Sequence, residues 1–155
     1  MMIPPDDGPG GDRADRHLRE LALFLSVHLD RAPGVLWPEH EHPVFDGGTG
    51  PADPGVRASR LASLAAGLGR LTGLRTRAVP VGAFDTEGTG HLLVHQIAGA
   101  ATWFLTGNGG AGTAPAPSLR YRLRPGEVLY VPARWSRRAE CTAAASWTVV
   151  CLSPA

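Results

Sequence analysis

From Leu74 onward the chain breaks into seven short apolar runs separated by turn-forming residues, and this spacing constrains its architecture more than any other feature. The runs are LRTRAVPVGAF (74–84), HLLVHQIAG (91–99), ATWFLTG (101–107), SLRYRLR (118–124), EVLYVPA (127–133), RRAEC (137–141) and SWTVVCLS (146–153). Most are rich in β-branched and aromatic residues, and none is long enough for a core helix. Short strands at this interval predict a small barrel or sandwich. The clearest period of two lies at 119–124, where Arg120, Arg122 and Arg124 alternate with Leu119, Tyr121 and Leu123. The arginines are expected to face water and Tyr121 the interior. Residues 108–118, NGGAGTAPAPS, read as a flexible connecting loop.

The N-terminal half reads differently. Residues 1–11 combine Pro, Gly and Asp without an apolar anchor and are expected to be a disordered tail. From Asp12 to Asp30, Leu18, Leu21, Leu25 and Leu29 recur at three and four residues, with Asp12 as N-cap and Arg16 placed to pair with Glu20. A second amphipathic helix fits Ser59–Leu71, with Leu61, Leu64, Leu68 and Leu71 as its stripe and Gly73 as its stop. Between them, residues 34–55 carry too much Pro and Gly for regular structure. The expected fold class is mainly β, one domain over 12–155, with a helical flank (12–72) and a barrel (73–155).

Composition excludes more than it assigns. The formal charge is +1 and charged residues make up 19%, so no long-range field draws the chain to nucleic acid or anionic lipid. All 15 basic residues are Arg, a pattern that accompanies high-GC coding. No apolar run reaches the ~18 residues of a bilayer span and no leader pattern opens the chain, so a cytoplasmic protein is expected. Cys141 and Cys151 are expected to stay reduced. P-loop, G-x-S-x-G and H-E-x-x-H motifs are missing from the sequence, no G-x-G-x-x-G is followed by a helix, and GNGGAG (107–112) reads as turn composition. The four tryptophans, Trp37, Trp103, Trp135 and Trp147, read first as core fillers.

One stretch carries a family signature: RPGEVLYVPARWSRR, residues 124–138. A Pro-Gly turn, an apolar strand, a terminating Pro132 and then Trp135 resemble the second motif of cupin barrels. Together with TGHLLVHQIAGAATWFLTG (89–107), which supplies Gln96, the Gly99 turn and Trp103, the pattern resembles the Jumonji-C type of cupin, the iron and 2-oxoglutarate oxygenases that include ribosomal oxygenases. That resemblance implies a double-stranded β-helix with helical flanks. It also implies an iron site of His-x-Asp plus a distal His, and here the sequence departs from it. Counted back from Gln96 the His-x-Asp positions fall on Thr86 and Gly88, or with a three-residue insertion on Ala83 and Asp85. The distal His position, five residues after Pro132, is Arg137. The Lys that grips 2-oxoglutarate in many members is Ala101. A degenerate barrel lacking the iron triad is therefore expected.

The candidate site follows from these positions. Arg137 is the expected anion clamp, Tyr121, Trp103, Trp135, Asp85 and His95 are expected ligand-binding residues, and His91 is the candidate acid or base at the barrel mouth, where Tyr130 is also placed. His91 and His95 share a strand face but stand about 13 Å apart, too far for one ion. The 39–42 segment, Glu39-His40-Glu41-His42, crowds metal-ligand types in a Pro-flanked loop, and is expected to be solvated, with adventitious zinc or nickel binding as the other reading. No metal and no cofactor is assigned. The expected function is a metal-free cupin binding a small anionic or aromatic molecule, as a binder or a repurposed catalyst. A divergent Fe(II)/2-oxoglutarate oxygenase using Asp85 and His91, and a non-catalytic homodimeric interaction module, stand as alternatives.

Overall fold

The computed structural model describes residues 9–40, 54–79, 90–107 and 116–155. Over these residues the chain is mainly β: α1 (Pro9–His28), β1 (Gly34–Leu36), α2 (Pro54–Thr72), β2 (Arg75–Val79), β3 (His91–Ala98), β4 (Ala101–Thr106), β5 (Ser118–Leu123), β6 (Val128–Val131), β7 (Ser136–Cys141) and β8 (Ser146–Ser153). The strands form two antiparallel sheets, a larger one in the order β1-β6-β3-β8-β2 and a smaller one in the order β5-β4-β7. All seven runs read from the sequence are strands. The eighth, β1, lies inside a segment expected to be irregular, and it exists because Gly34, Val35 and Leu36 pair with Tyr130, Leu129 and Val128 of β6.

Two apolar layers hold the molecule together. The first lies between the helices and the larger sheet, where Leu18, Leu21, Leu25, Leu61, Leu64 and Leu68 pack on Leu93, Tyr130, Val150 and Leu152. The second lies between the sheets, where Leu92, Val94, Leu129, Val131 and Val149 meet Ala101, Trp103, Leu105 and Leu123. The central strand β3 is thus buried on both faces, His91 through Gln96 without a break. Strand β5 shows the expected alternation: Arg120 and Arg122 are exposed while Tyr121 packs against the inter-sheet layer.

Several local expectations are corrected. Both helices start earlier than their apolar stripes, at Pro9 and Pro54, because proline at a first helical position has a preset φ and no N–H to satisfy. Arg16 pairs with Asp12, not Glu20. Leu71, assigned to the α2 stripe, is 52% exposed, since the helix ends at Thr72 and Leu74 takes up the core contact instead. Trp37 is 73% exposed and fills no core. Cys141 and Cys151 are both free, one on each sheet. The expected 1–11 tail and 108–118 loop fall largely outside the described residues. Among the described residues no helix is long and apolar enough to cross a membrane.

Two turns place the strands that matter for the site. Arg124-Pro125-Gly126-Glu127 closes with the Glu127 N–H donating to the Arg124 carbonyl at 3.1 Å, and Gly126 at φ 89° sits where a type II turn requires glycine. Gly99, between β3 and β4, has φ 62°, and a Cβ there would meet the Ala145 backbone at 2.7 Å. Gly99→Ala is expected to destabilise the fold by about 1–2 kcal/mol from the left-handed backbone alone, with the clash added. Urea unfolding checks this, and an unchanged midpoint would refute it.

Candidate functional site

The register of the smaller sheet decides which side chains enter the space between the sheets. Leu105 faces inward at 0% exposure; across β4 it stands opposite Arg137 on β7 and Leu119 on β5. Residues directly opposite in an antiparallel ladder share a face, so Arg137 points into the sandwich, where it is 4% exposed. The next inward row is Tyr121–Trp103–Ala139. Trp103, fully buried, meets Trp147 edge-on with ring centroids 5.8 Å apart. Trp135 packs against the same layer. Its ring lies close to Gly107 and Pro117, at the Arg137 end of β7. The neighbouring Arg138 points outward, over the Phe104 ring at 4.4 Å and paired with Glu140.

Arg137, Tyr121 and Trp103 thus lie on the inward face of the smaller sheet, and Trp135 packs against the same layer: a permanent cation on the face that also carries the aromatic rings. Such an arrangement can hold a carboxylate and cover its apolar body. Asp85 lies outside the described residues, as do the other His-x-Asp positions Thr86, Gly88 and Ala83.

The two histidines of β3 go elsewhere. His91 and Tyr130, expected at the barrel mouth, and His95, expected to bind the ligand, face the helices on the opposite side of the larger sheet. Their strand-mate Leu93 belongs to the helix-side layer, and side chains two apart share a face. His91 Nδ1 accepts from the Ala133 N–H (3.1 Å) and the Tyr130 hydroxyl (2.9 Å), which places the ring proton on Nε2, 3.3 Å from Asp30 Oδ1. Tyr130 in turn accepts the Asp30 N–H at 3.0 Å. Burial pulls the His91 pKa below its ordinary 6.5, partly opposed by the Asp30 carboxylate. Burial likewise pushes Tyr130 up to about 12. With both ring nitrogens engaged and its ring on the far side of the sheet, His91 does not reach a ligand between the sheets. The His95 ring lies tilted against that of His17 of α1, centroids 5.7 Å apart.

Sequence reasoning gave no site role to three polar residues that the fold buries: His17 (1% exposed), Gln96 (2%) and Thr148 (4%). His17 had a signal, an imidazole beside Leu18 and Leu21 on the buried helix stripe. Gln96 Nε2 donates to the Ala98 carbonyl at 2.8 Å, while its Oε1 has no hydrogen-bond partner among the described residues.

These sheets and flanking helices form a small cupin-like β-sandwich. No family model and no curated protein matches the chain. Solved structures similar to it include that of Escherichia coli ycfD, with a TM-score of 0.53, 14% identity, and coverage of 85% of this chain and 52% of that one. A second is a structure of YcfD described as a ribosomal oxygenase from Escherichia coli, with a TM-score of 0.50, 15% identity and coverage of 85% and 50%. A third, of the same protein in complex with cobalt and succinic acid, has a TM-score of 0.50, 13% identity and coverage of 87% and 51%. The chain spans about half the length of these neighbours, and at this identity the likeness concerns the fold alone.

Proposed function

We propose that this chain binds a small carboxylate between its two sheets, with Arg137 as the anion clamp and Tyr121, Trp103 and Trp135 as the wall against its apolar or aromatic body. It does so as a metal-free cupin rather than as an iron oxygenase. One observation carries the reading: Arg137 is 4% exposed on the inward face of β7, at the position where the family resemblance puts the distal iron ligand. A guanidinium cannot deprotonate in a protein, and a permanent cation there repels a divalent ion instead of coordinating it. A buried cation needs anionic compensation. With five N–H donors it can keep a protein partner and still take a ligand carboxylate.

The described residues do not offer an iron centre of the family's kind. His91 and His95, the imidazoles an alternative site would recruit, face the helices. Asp85 is the one family ligand type that survives in sequence. The neighbour solved with cobalt and succinic acid suggests which probes to use first.

Calorimetric titration of succinate, 2-oxoglutarate and benzoate into the full chain, with chelator present, tests the clamp. One of these is expected to bind, and Arg137→Met is expected to weaken it about 100-fold, on the order of 3 kcal/mol for two charge-assisted hydrogen bonds. Equal affinity in Arg137→Met would remove the clamp. Stoichiometric iron uptake with 2-oxoglutarate turnover after anaerobic Fe(II) loading would replace the whole reading with the oxygenase one.

A further inference from the structure

The outer face of the smaller sheet takes no part in the inter-sheet site, and its charge is one-sided. On β5 the Arg120 and Arg122 side chains point outward and are exposed, while Leu119 and Tyr121 turn inward and are half-buried. Across the sheet Arg120 stands in a row with Phe104 and Arg138, and Arg122 in the next row with Thr102 and Glu140. The two outer strands differ in how their charges are met. On β7, Arg138 pairs with Glu140 and lies over the Phe104 ring. On β5, neither arginine has a carboxylate partner among the described residues. Residues 118–155 hold six of the 15 arginines and only two of the 14 acidic residues, so little negative charge lies nearby in sequence to meet them.

Strand β5 is also terminal: the order β5-β4-β7 leaves its second edge without a described neighbour. An open edge offers a row of N–H and C=O groups to another chain, and the side chains decide which chain. A second copy of β5 laid antiparallel about Tyr121 sets Arg120 against Arg122 twice, and like charges directly opposite are destabilising. The same row that repels a copy attracts a strand of opposite sign. A segment with Asp or Glu at every second residue places its carboxylates beside Arg120 and Arg122, and its other side chains beside Leu119 and Tyr121, where apolar residues continue the inter-sheet layer. The larger sheet ends on β2, where Arg75 and Arg77 alternate in the same way, but that edge is already committed. Arg75 Nε donates to the Pro154 carbonyl at 3.2 Å, the Thr76 hydroxyl donates to the Ala65 carbonyl at 2.6 Å, and Ala78 packs in the helix-side layer.

We infer that the open edge of β5 takes up an extended acidic segment of a partner protein as an added strand. The main-chain ladder supplies the affinity, and Arg120 and Arg122 supply the selectivity for alternating carboxylates. Single-stranded nucleic acid suits this face less well, because Phe104, the ring a base would stack on, is half-buried and already covered by Arg138. The surface is independent of the carboxylate clamp, since Arg137 points to the opposite side of the sheet.

The probe is a fluorescein-labelled, end-blocked peptide of alternating Glu and Val, titrated with the full chain at low salt and read by anisotropy. It is expected to bind, and to lose at least ~10-fold in affinity against Arg120→Glu/Arg122→Glu. The control Arg75→Glu/Arg77→Glu on β2 is expected to leave binding unchanged. A strand added to an edge turns only every second N–H toward it, so of two peptides, one methylated on the Glu nitrogens and one on the Val nitrogens, one is expected to lose binding and the other to keep it. This comparison needs no protein variant and stands even if the charge reversal disturbs folding. Arg137→Met is expected to keep the peptide while losing the small carboxylate, and Arg120→Glu/Arg122→Glu the reverse, so the two sites fail independently. No binding of the alternating peptide would overturn the inference. So would equal affinity for a peptide with the same residues segregated into blocks, or for both methylated forms, because each reports diffuse charge attraction without a ladder. Competition by oligo(dT) at equal affinity would assign the face to nucleic acid instead.

Discussion

Trp103→Ala is expected to remove about 3–5 kcal/mol of folding stability, a large share of the ~5–15 kcal/mol available to a domain of this kind. The indole is fully buried in the inward row of the smaller sheet. It stands opposite Tyr121 on one side and the small Ala139 on the other, with Trp147 edge-on at 5.8 Å. Ala139 cannot swell to refill the space, and the ladder on both sides holds the backbone apart, so the cavity stays open. An unfilled cavity adds to the lost transfer free energy of the ring, which puts the effect near the top of the usual range. Urea unfolding followed by far-UV circular dichroism gives the number. A loss under about 1 kcal/mol would mean that the sandwich is already hollow at this row and Trp103 is a ligand wall before it is a core residue. Trp103→Phe separates the two roles: it keeps most of the packing, so a change in carboxylate affinity there reports contact with the ligand.

The tryptophan also marks where sequence reasoning works. Strand β4 reads correctly because its inward residues Ala101, Trp103 and Leu105 alternate with half-exposed or exposed Thr102, Phe104 and Thr106, and β5 reads correctly for the same reason. Strand β3 offers no such contrast. Buried on both faces, it carries no polar edge to say which side meets the helices. The period of two puts its two histidines on one face, but the packing of α1 and α2 determines that this is the helix side. In β7 the pair Arg137-Arg138 poses the same ambiguity, and only pairing with Leu105 sends the first inward and the second out. Strand β1 is three residues held by β6, with no pattern of its own. The Glu20–His40 contact joins residues 20 apart in sequence across a helix and a turn. Each of these facts belongs to tertiary contact and is invisible to local periodicity.

His91 has a measurable consequence that its position between β3 and the end of α1 dictates. Its Nδ1 accepts from Tyr130 and from the Ala133 N–H, and its Nε2–H faces Asp30, whose own N–H is held by Tyr130. The imidazole thus fastens the C-terminal end of α1 to β3 and β6. His91→Leu leaves the Ala133 N–H and the Tyr130 hydroxyl without their buried acceptor, and is expected to destabilise by about 2–4 kcal/mol at pH 8. Acid should shrink that difference. Protonating Nδ1 removes the acceptor that both donors need, and burial disfavours the cation, so the folded-state pKa lies below the ordinary 6.5. Between those two values the unfolded chain binds a proton that the folded chain does not, and stability therefore falls as pH drops from 6.5 toward the lowered folded pKa, then levels off. The Asp30 carboxylate works in the other direction, but it is 77% exposed and 3.3 Å away, so solvent screens it. Denaturant midpoints of wild type and His91→Leu between pH 5 and 8 test the balance, because every other histidine is common to both chains. A gap that narrows with acid is expected. A gap that widens would mean that the Asp30 pairing outweighs burial and that His91 is charged in the fold.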